Sequence, residues 1–177
     1  MDDIEVEGRS WSSIAQKTMR LRQAIGLGDE ANFPIASVLE DLLPVIRPGF
    51  FVDVRTKKEM GNREGLCCPQ GTFIAFREDI YDGLISGCPR ARFTGCHELG
   101  HLDMHTNITF SRAPRRSLAP FRSGERQADV YAATLLAPRS FLRRGDTPYT
   151  IAARHGMSFD SAERRLDEML GVKGTPF

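Results

Sequence analysis

The sequence has no long apolar run. None of its hydrophobic stretches approaches the roughly 20 residues needed to span a bilayer, which sets aside a membrane-embedded protein. Its first ten residues, MDDIEVEGRS, are acidic and lack the apolar core of a signal peptide. Charge of one sign is not in excess either: 24 Lys and Arg face 23 Asp and Glu, so no bulk field draws the chain to nucleic acid or to an anionic membrane. There is no CxxC pair. Of the four cysteines, Cys67 and Cys68 are adjacent and cannot easily point at one ion, and Cys96 suits a small core position. With no secretion signal, free thiols are expected rather than disulfides. No internal repeat or low-complexity tract is visible. These absences lead to the expectation of a cytoplasmic globular protein. Its 177 residues, 41% hydrophobic and 27% charged, suffice for one domain with at most a small appendage and a core that needs no staples.

Histidine is scarce as well, but it is concentrated. Three of the four histidines (His97, His101 and His105) fall within nine residues, in the stretch Phe93–His105, FTGCHELGHLDMH. At its centre is an HExxH pentapeptide, His97-Glu98-Leu99-Gly100-His101. On a helix His97 and His101 lie one turn apart on one face, where two imidazoles can grip one metal ion from the same side. Glu98 sits one residue further round, where a general base acting on water at the ion belongs. Phe93, Leu99 and Leu102 supply an apolar face, so this helix is expected to pack against something rather than stand in solvent.

The pattern along the chain predicts an acidic, loosely ordered lead over residues 1–10. A helix follows over Ser10–Ile25, where Trp11, Ile14, Thr18, Leu21 and Ile25 form the stripe, and a second over Pro34–Val45. Phe50–Val54 and Thr72–Phe76 read as strands. Lys57–Gly71 reads as loop or irregular strand, with Gly71 fitting a hairpin turn. Glu78–Ser86 is ambiguous. Cys88-Pro89 opens the HExxH helix, which runs to about His105. Thr106–Phe121, with Pro114, Pro120 and the basic residues Arg112, Arg115 and Arg116, reads as a long exposed loop and a candidate substrate contact. Ser123 caps a helix over Gly124–Leu136 that looks buried on most sides. Two short helices close the chain between Asp146 and Gly171. The expected division is a domain over 1–143 and a C-terminal helical segment over 144–177.

A catalytic zinc takes three protein ligands, so the two histidines need a partner from another element. His105 lies two turns from His97 on the same rigid helix, about 12 Å away along the axis, and cannot easily converge on the same ion. The HExxHxxGxxH spacing is absent, since position 104 is Met and position 107 is Asn. Glu125 is the better candidate. It opens a helix after an excursion long enough for the chain to return antiparallel, and Asp129 lies one turn on, on the same face. Glu125 would bind the ion and Asp129 would accept the free ring N–H of a ligand histidine, fixing its tautomer. Donors for an oxyanion stay open among Tyr81, Tyr131, Tyr149, His105 and the arginines of 112–116.

Two runs carry a resemblance. Arg92–His101, RFTGCHELGH, resembles the "RFTxxHELGH" signature of the ImmA/IrrE metallopeptidases, and Glu125–Pro138, ERQADVYAATLLAP, resembles that family's "E-x-x-A-[ND]-x-F-A-x-x-LL-x-P". Tyr131 stands where the family usually has Phe, and Ala137 where it often has Met. The likeness extends from about Val52 to Leu170. It implies an α+β fold, a small zincin-like domain in which a short β-sheet packs on the HExxH helix and a second ligand-bearing helix, followed by a C-terminal helical pair. It also implies His97, His101 and Glu125 as metal ligands, a Zn2+ ion (or another divalent metal such as Mn2+), and Glu98 as the catalytic carboxylate. The implied partner is a protein substrate, an XRE-type helix-turn-helix repressor that is cleaved or inactivated inside a bacterium.

The last segment offers a rival. Ile151–Leu166, IAARHGMSFDSAERRL, has helix-turn-helix rhythm and suggests a non-catalytic zinc-containing regulator that binds a repressor or DNA. Its second helix carries Asp160, Glu163, Asp167 and Glu168 against Arg164 and Arg165, a balance that phosphates would repel.

Overall fold

In a computed structural model, residues 2–107, 111–114 and 118–171 are described, with the backbone alone at residues 2 and 111–114. The chain is a mixed α+β protein built around two long helices, α6 (Pro89–Met104) and α7 (Gly124–Leu136). A third helix, α1 (Trp11–Ala24), lies along α7. It starts where Ser10 turns its hydroxyl back to the amide of Ser13, a cap that contributes about 1 kcal/mol. Helix α7 is accordingly buried nearly all round, with Ala128, Tyr131, Ala132, Ala133, Leu135 and Leu136 all out of solvent. Gly100 lets α6 and α7 approach: a Cβ there would sit 3.1 Å from three atoms of the Tyr131 side chain.

The second predicted helix forms with a defect. Helix α2 (Ile35–Ser37) runs through a π-helical turn, Val38–Leu42, into α3 (Leu43–Ile46). Pro44 has no N–H to offer and its ring crowds the carbonyl one turn back. The turn widens ahead of it, and the Leu43 amide reaches Val38 O.

Strands β2 (Phe51–Arg55), β3 (Gly65–Cys67) and β4 (Phe73–Arg77) form one sheet in the order β2-β4-β3. β2 runs parallel to β4, and β3 closes on β4 as an antiparallel hairpin through Gly71 at φ 70°. The central strand carries the buried residues Ile74, Ala75 and Phe76. A short helix, α4 (Lys57–Met60), sits between β2 and β3, held by a reciprocal Thr56–Glu59 capping box. The ambiguous stretch is helical, as α5 (Glu78–Ile85).

Two expectations fail together. The N-terminal residues are not a loose lead, and the segment after α6 is not simply an exposed loop. Strand β1 (Asp2–Glu5) pairs antiparallel with β5 (Ser111–Pro114), Asp2 opposite Pro114 and Glu5 opposite Ser111. Val6 N donates to Arg122 O at 2.9 Å and Arg9 N to Phe121 O at 3.0 Å, so the ladder continues past the strands. Backbone pairing holds these residues where apolar patterning does not; DDIE and SRAP show no alternation.

Helices α8 (Pro148–His155) and α9 (Phe159–Leu170) are joined by Gly156, in the left-handed conformation, and by the α9 cap Ser158. Ile151, Met157 and Ala162 belong to the same apolar core as α6 and α7. Two buried arginines tie the pair down by donating to backbone carbonyls. Arg92 of α6 donates to Gly156 O (3.1 Å) and Phe33 O (2.9 Å), and Arg165 of α9 to Ala137 O (2.9 Å). Among the described residues, no helix is long and apolar enough to cross a membrane.

Candidate metal centre

The site lies between the middle of α6 and the first turn of α7. Helix periodicity turns His97 and His101 to one side, with their Nε2 atoms 3.1 Å apart. Ser123 accepts from the Arg126 amide and starts α7, which brings Glu125 opposite them. Glu125 Oε2 is 3.5 Å from His97 Nε2, and Oε1 is 3.5 Å from His101 Nε2. One ligand atom from each of the three residues lies within 4.8 Å of the others, so the trio can hold a metal ion.

The donor chemistry fits a divalent cation. The far ring nitrogens are both engaged: His97 Nδ1 lies 3.0 Å from Asp129 Oδ1, and His101 Nδ1 lies 3.0 Å from His105 Nδ1. With a hydrogen on each Nδ1, the two Nε2 lone pairs face each other and a carboxylate. A proton can relieve that repulsion for one ring, and a cation relieves it for both. The metal-free electrostatics carry the same signature. Burial disfavours a charged His97, but the Asp129 and Glu125 carboxylates outweigh it and raise the pKa to about 10. Burial, with the charge on His97, pushes His101 down to about 3. His105 is also lowered, again by burial first.

Glu98, the residue after His97 on α6, lies against strand β3. It is buried, and burial raises its pKa to about 7, with Glu125 adding to the shift and His97 opposing it. It accepts a hydrogen bond from the Cys67 backbone. Strand β3 passes so close that residue 65 must be glycine: a Cβ there would lie 2.6 Å from Glu98 Cγ and 2.7 Å from Oε1. Glu64 fixes the approach of β3 by accepting from Thr94 Oγ1 at 3.0 Å and pairing with Arg90.

The sequence reading left three contributors out. Asp3, almost fully buried on β1, accepts from Ser123 Oγ (2.5 Å) and from the Glu125 amide (3.3 Å), so it caps the ligand helix from outside. Gln127, also buried, lies 3.0 Å from His105 Nε2 and donates to Glu7 O (2.8 Å) and Phe121 O (2.7 Å). Gly65 is the third. Nothing local marks Asp3, whose partners lie about 120 residues on; His105 and Gln127 carried a faint signal as polar residues on the inner faces of the two site helices.

Of the oxyanion donors left open, Tyr131 is fully buried and donates to Asp103 Oδ2 at 2.9 Å, Tyr81 is bonded to Glu40, and both His105 nitrogens are taken. Tyr149 packs on Phe159 in the C-terminal pair. The side chains of Arg112, Arg115 and Arg116 lie outside the described residues. Cys67 is held up at about 12 by burial, and all four thiols are unpaired. On α9, Ala162, Arg165 and Met169 turn inward, which leaves Asp160, Glu163 and Arg164 among the exposed residues.

A family model, Peptidase_M78, the IrrE N-terminal-like domain, matches residues 88–167. That span holds all of α6, α7, α8 and most of α9, including His97, Glu98, His101, Glu125 and Asp129. A search of curated proteins finds no match.

Proposed function

We propose, from the match of residues 88–167 to the IrrE N-terminal-like domain model, that this chain is a zinc-dependent endopeptidase that acts in the cytoplasm on a protein substrate. One observation carries the reading: the ligand atoms of His97, His101 and Glu125 converge within 4.8 Å beside a buried carboxyl group, Glu98. The substrate in this reading is a helix-turn-helix transcriptional repressor. That part rests on the resemblance of the two signatures to the ImmA/IrrE metallopeptidases.

His97, His101 and Glu125 would hold the ion, and two neutral imidazoles with one carboxylate suit zinc. A zinc ion held there would supply Lewis acidity to polarise a peptide carbonyl and make water at the site more acidic. Glu98 does the proton work. A carboxyl group with its pKa raised towards neutrality can take a proton from water at one step and hand it to the leaving amine at the next. The Cys67 amide and Gly65 hold it in one place for both. Asp129 orients His97 through Nδ1 and stabilises it as a ligand.

A non-catalytic module that only sequesters a repressor would need the same metal but no proton carrier. A buried carboxyl group beside the trio, Glu98, favours the enzyme. Duplex DNA as partner is disfavoured by the acidic residues left exposed on α9.

The test is Glu98→Gln. The variant should bind zinc like the wild type and lose peptidase activity by about 100-fold or more. Used as bait in a pull-down, it should retain a helix-turn-helix protein that the wild type cuts. Full activity in the variant would refute the role of Glu98, and a captured partner that the wild type leaves whole would favour sequestration.

A further inference from the structure

His105 and Gln127 are not among the three residues whose ligand atoms converge, and the proton transfers above do not use them. Both are buried polar side chains, and together they join His101 to the N-terminal segment in an unbroken row: His101 Nδ1 to His105 Nδ1, 3.0 Å; His105 Nε2 to Gln127 Oε1, 3.0 Å; Gln127 Nε2 to Glu7 O, 2.8 Å, and to Phe121 O, 2.7 Å.

The row has only one consistent direction. Glu7 O and Phe121 O are carbonyls and can only accept, so the Gln127 amide must turn its NH2 to them and its oxygen to His105. His105 Nε2 must then carry a hydrogen. A neutral His105 with that hydrogen has a bare Nδ1, which can only accept, so His101 Nδ1 must carry a hydrogen too. The remaining lone pair of His101 is on Nε2, the atom that faces His97 and Glu125. Reversing the row would set the Gln127 oxygen against two carbonyl oxygens and leave buried donors and acceptors without partners, at about 1–3 kcal/mol each.

We propose that His105 and Gln127 are positioning residues that lock His101 as the Nδ1–H tautomer, and that the N-terminal segment around Glu7 anchors this row. Asp129 does the same for His97 from the opposite side. The inference rests on the metallopeptidase reading of the site. It extends the centre beyond residues 88–167, because Glu7, which orients the Gln127 amide, lies outside them.

Two measurements test it without recourse to peptidase activity. In zinc-loaded wild-type protein with 15N-labelled histidine, the imidazole nitrogen spectra should show His101 protonated at Nδ1 and His105 protonated at Nε2. A His105 protonated at Nδ1, or at both nitrogens, would overturn the proposal. Zinc affinity should then be measured by chelator competition for the wild type, His105→Leu, His105→Gln and Gln127→Leu. Loss of the acceptor in His105→Leu should weaken zinc by about 10–100-fold, with a smaller loss in Gln127→Leu. His105→Gln restores an acceptor and should recover most of the affinity. Equal affinity in His105→Leu and His105→Gln would mean that the residue only fills space, and the proposal would fail. A wild type that takes up no divalent ion would instead overturn the metallopeptidase reading, a result distinct from wild-type binding that the substitutions leave untouched.

Discussion

The two helices that meet at the candidate metal centre hold their candidate ligands in opposite ways. Helix α6 presents His97 and His101 from its middle, with side chains only 15% and 13% exposed and each far ring nitrogen bonded to a neighbour. Helix α7 presents Glu125 from its first turn, with its side chain 41% exposed. Its position depends on how the helix starts, and that start is held by Ser123 from within and by Asp3 from strand β1. The histidines are therefore pre-set by packing, whereas the carboxylate is set by a helix terminus that a distant segment secures. The trio therefore combines two largely buried imidazoles with one part-exposed carboxylate.

The sharpest way to break this comparison is to remove one ligand of each kind. His101→Ala should lower zinc affinity by more than about 100-fold, beyond the loss expected for an outer partner. Glu125→Gln, which keeps an oxygen in place, should lower it less. Dialysis against a graded chelator series measures both, and equal losses would mean that the two helices do not differ in the way their burial indicates.

Acidity separates the same ligands. Without metal the Asp129 and Glu125 carboxylates raise the His97 pKa to about 10, and a metal ion bound there would have to displace that proton. From this group alone, affinity should fall about tenfold for each pH unit below 10. The sign also holds for metal-free stability: a raised histidine pKa contributes stability that is present below the unfolded value and lost as pH rises through about 10. Chelator competition at several pH values reads the slope, and pH-independent binding would show that His97 is not protonated in the metal-free site.

The smallest effect falls on the segment that secures α7. Asp3→Ala removes the outside cap and should cost about 1–2 kcal/mol of thermal or denaturant stability. Zinc affinity should drop by a modest factor, because Glu125 loses its fixed starting point while the histidines keep theirs. An Asp3→Ala protein as stable as the wild type would show that Ser123 alone holds the helix start.

This contrast also explains what could be read in the sequence. The HExxH helix, its Pro89 start, the Ser123 cap and the Glu125/Asp129 pair are local signals: spacing along a helix fixes which side chains share a face. The strands Phe51–Arg55 and Phe73–Arg77 were legible for a similar reason, from their β-branched and aromatic residues. The β1–β5 pairing was not legible. It joins residues more than 100 positions apart through backbone hydrogen bonds, which any sequence can make. Asp3 looked like one more acidic residue in a polar lead. Gly65 looked like a loop glycine, and only the approach of Glu98 shows why no side chain fits there. His105 was considered as a ligand and as an oxyanion donor; its place beside His101 follows from the direction of the two rings, which spacing does not set.

The central claim is that two histidines of α6 and one carboxylate of α7 hold a divalent ion. X-ray absorption at the zinc edge of the loaded wild-type protein tests it most directly. The account predicts a first shell of two imidazole nitrogens with oxygen, no sulfur, and loss of that signal in His97→Ala. A shell containing sulfur, which would have to come from cysteines such as Cys67 or Cys68, would contradict it.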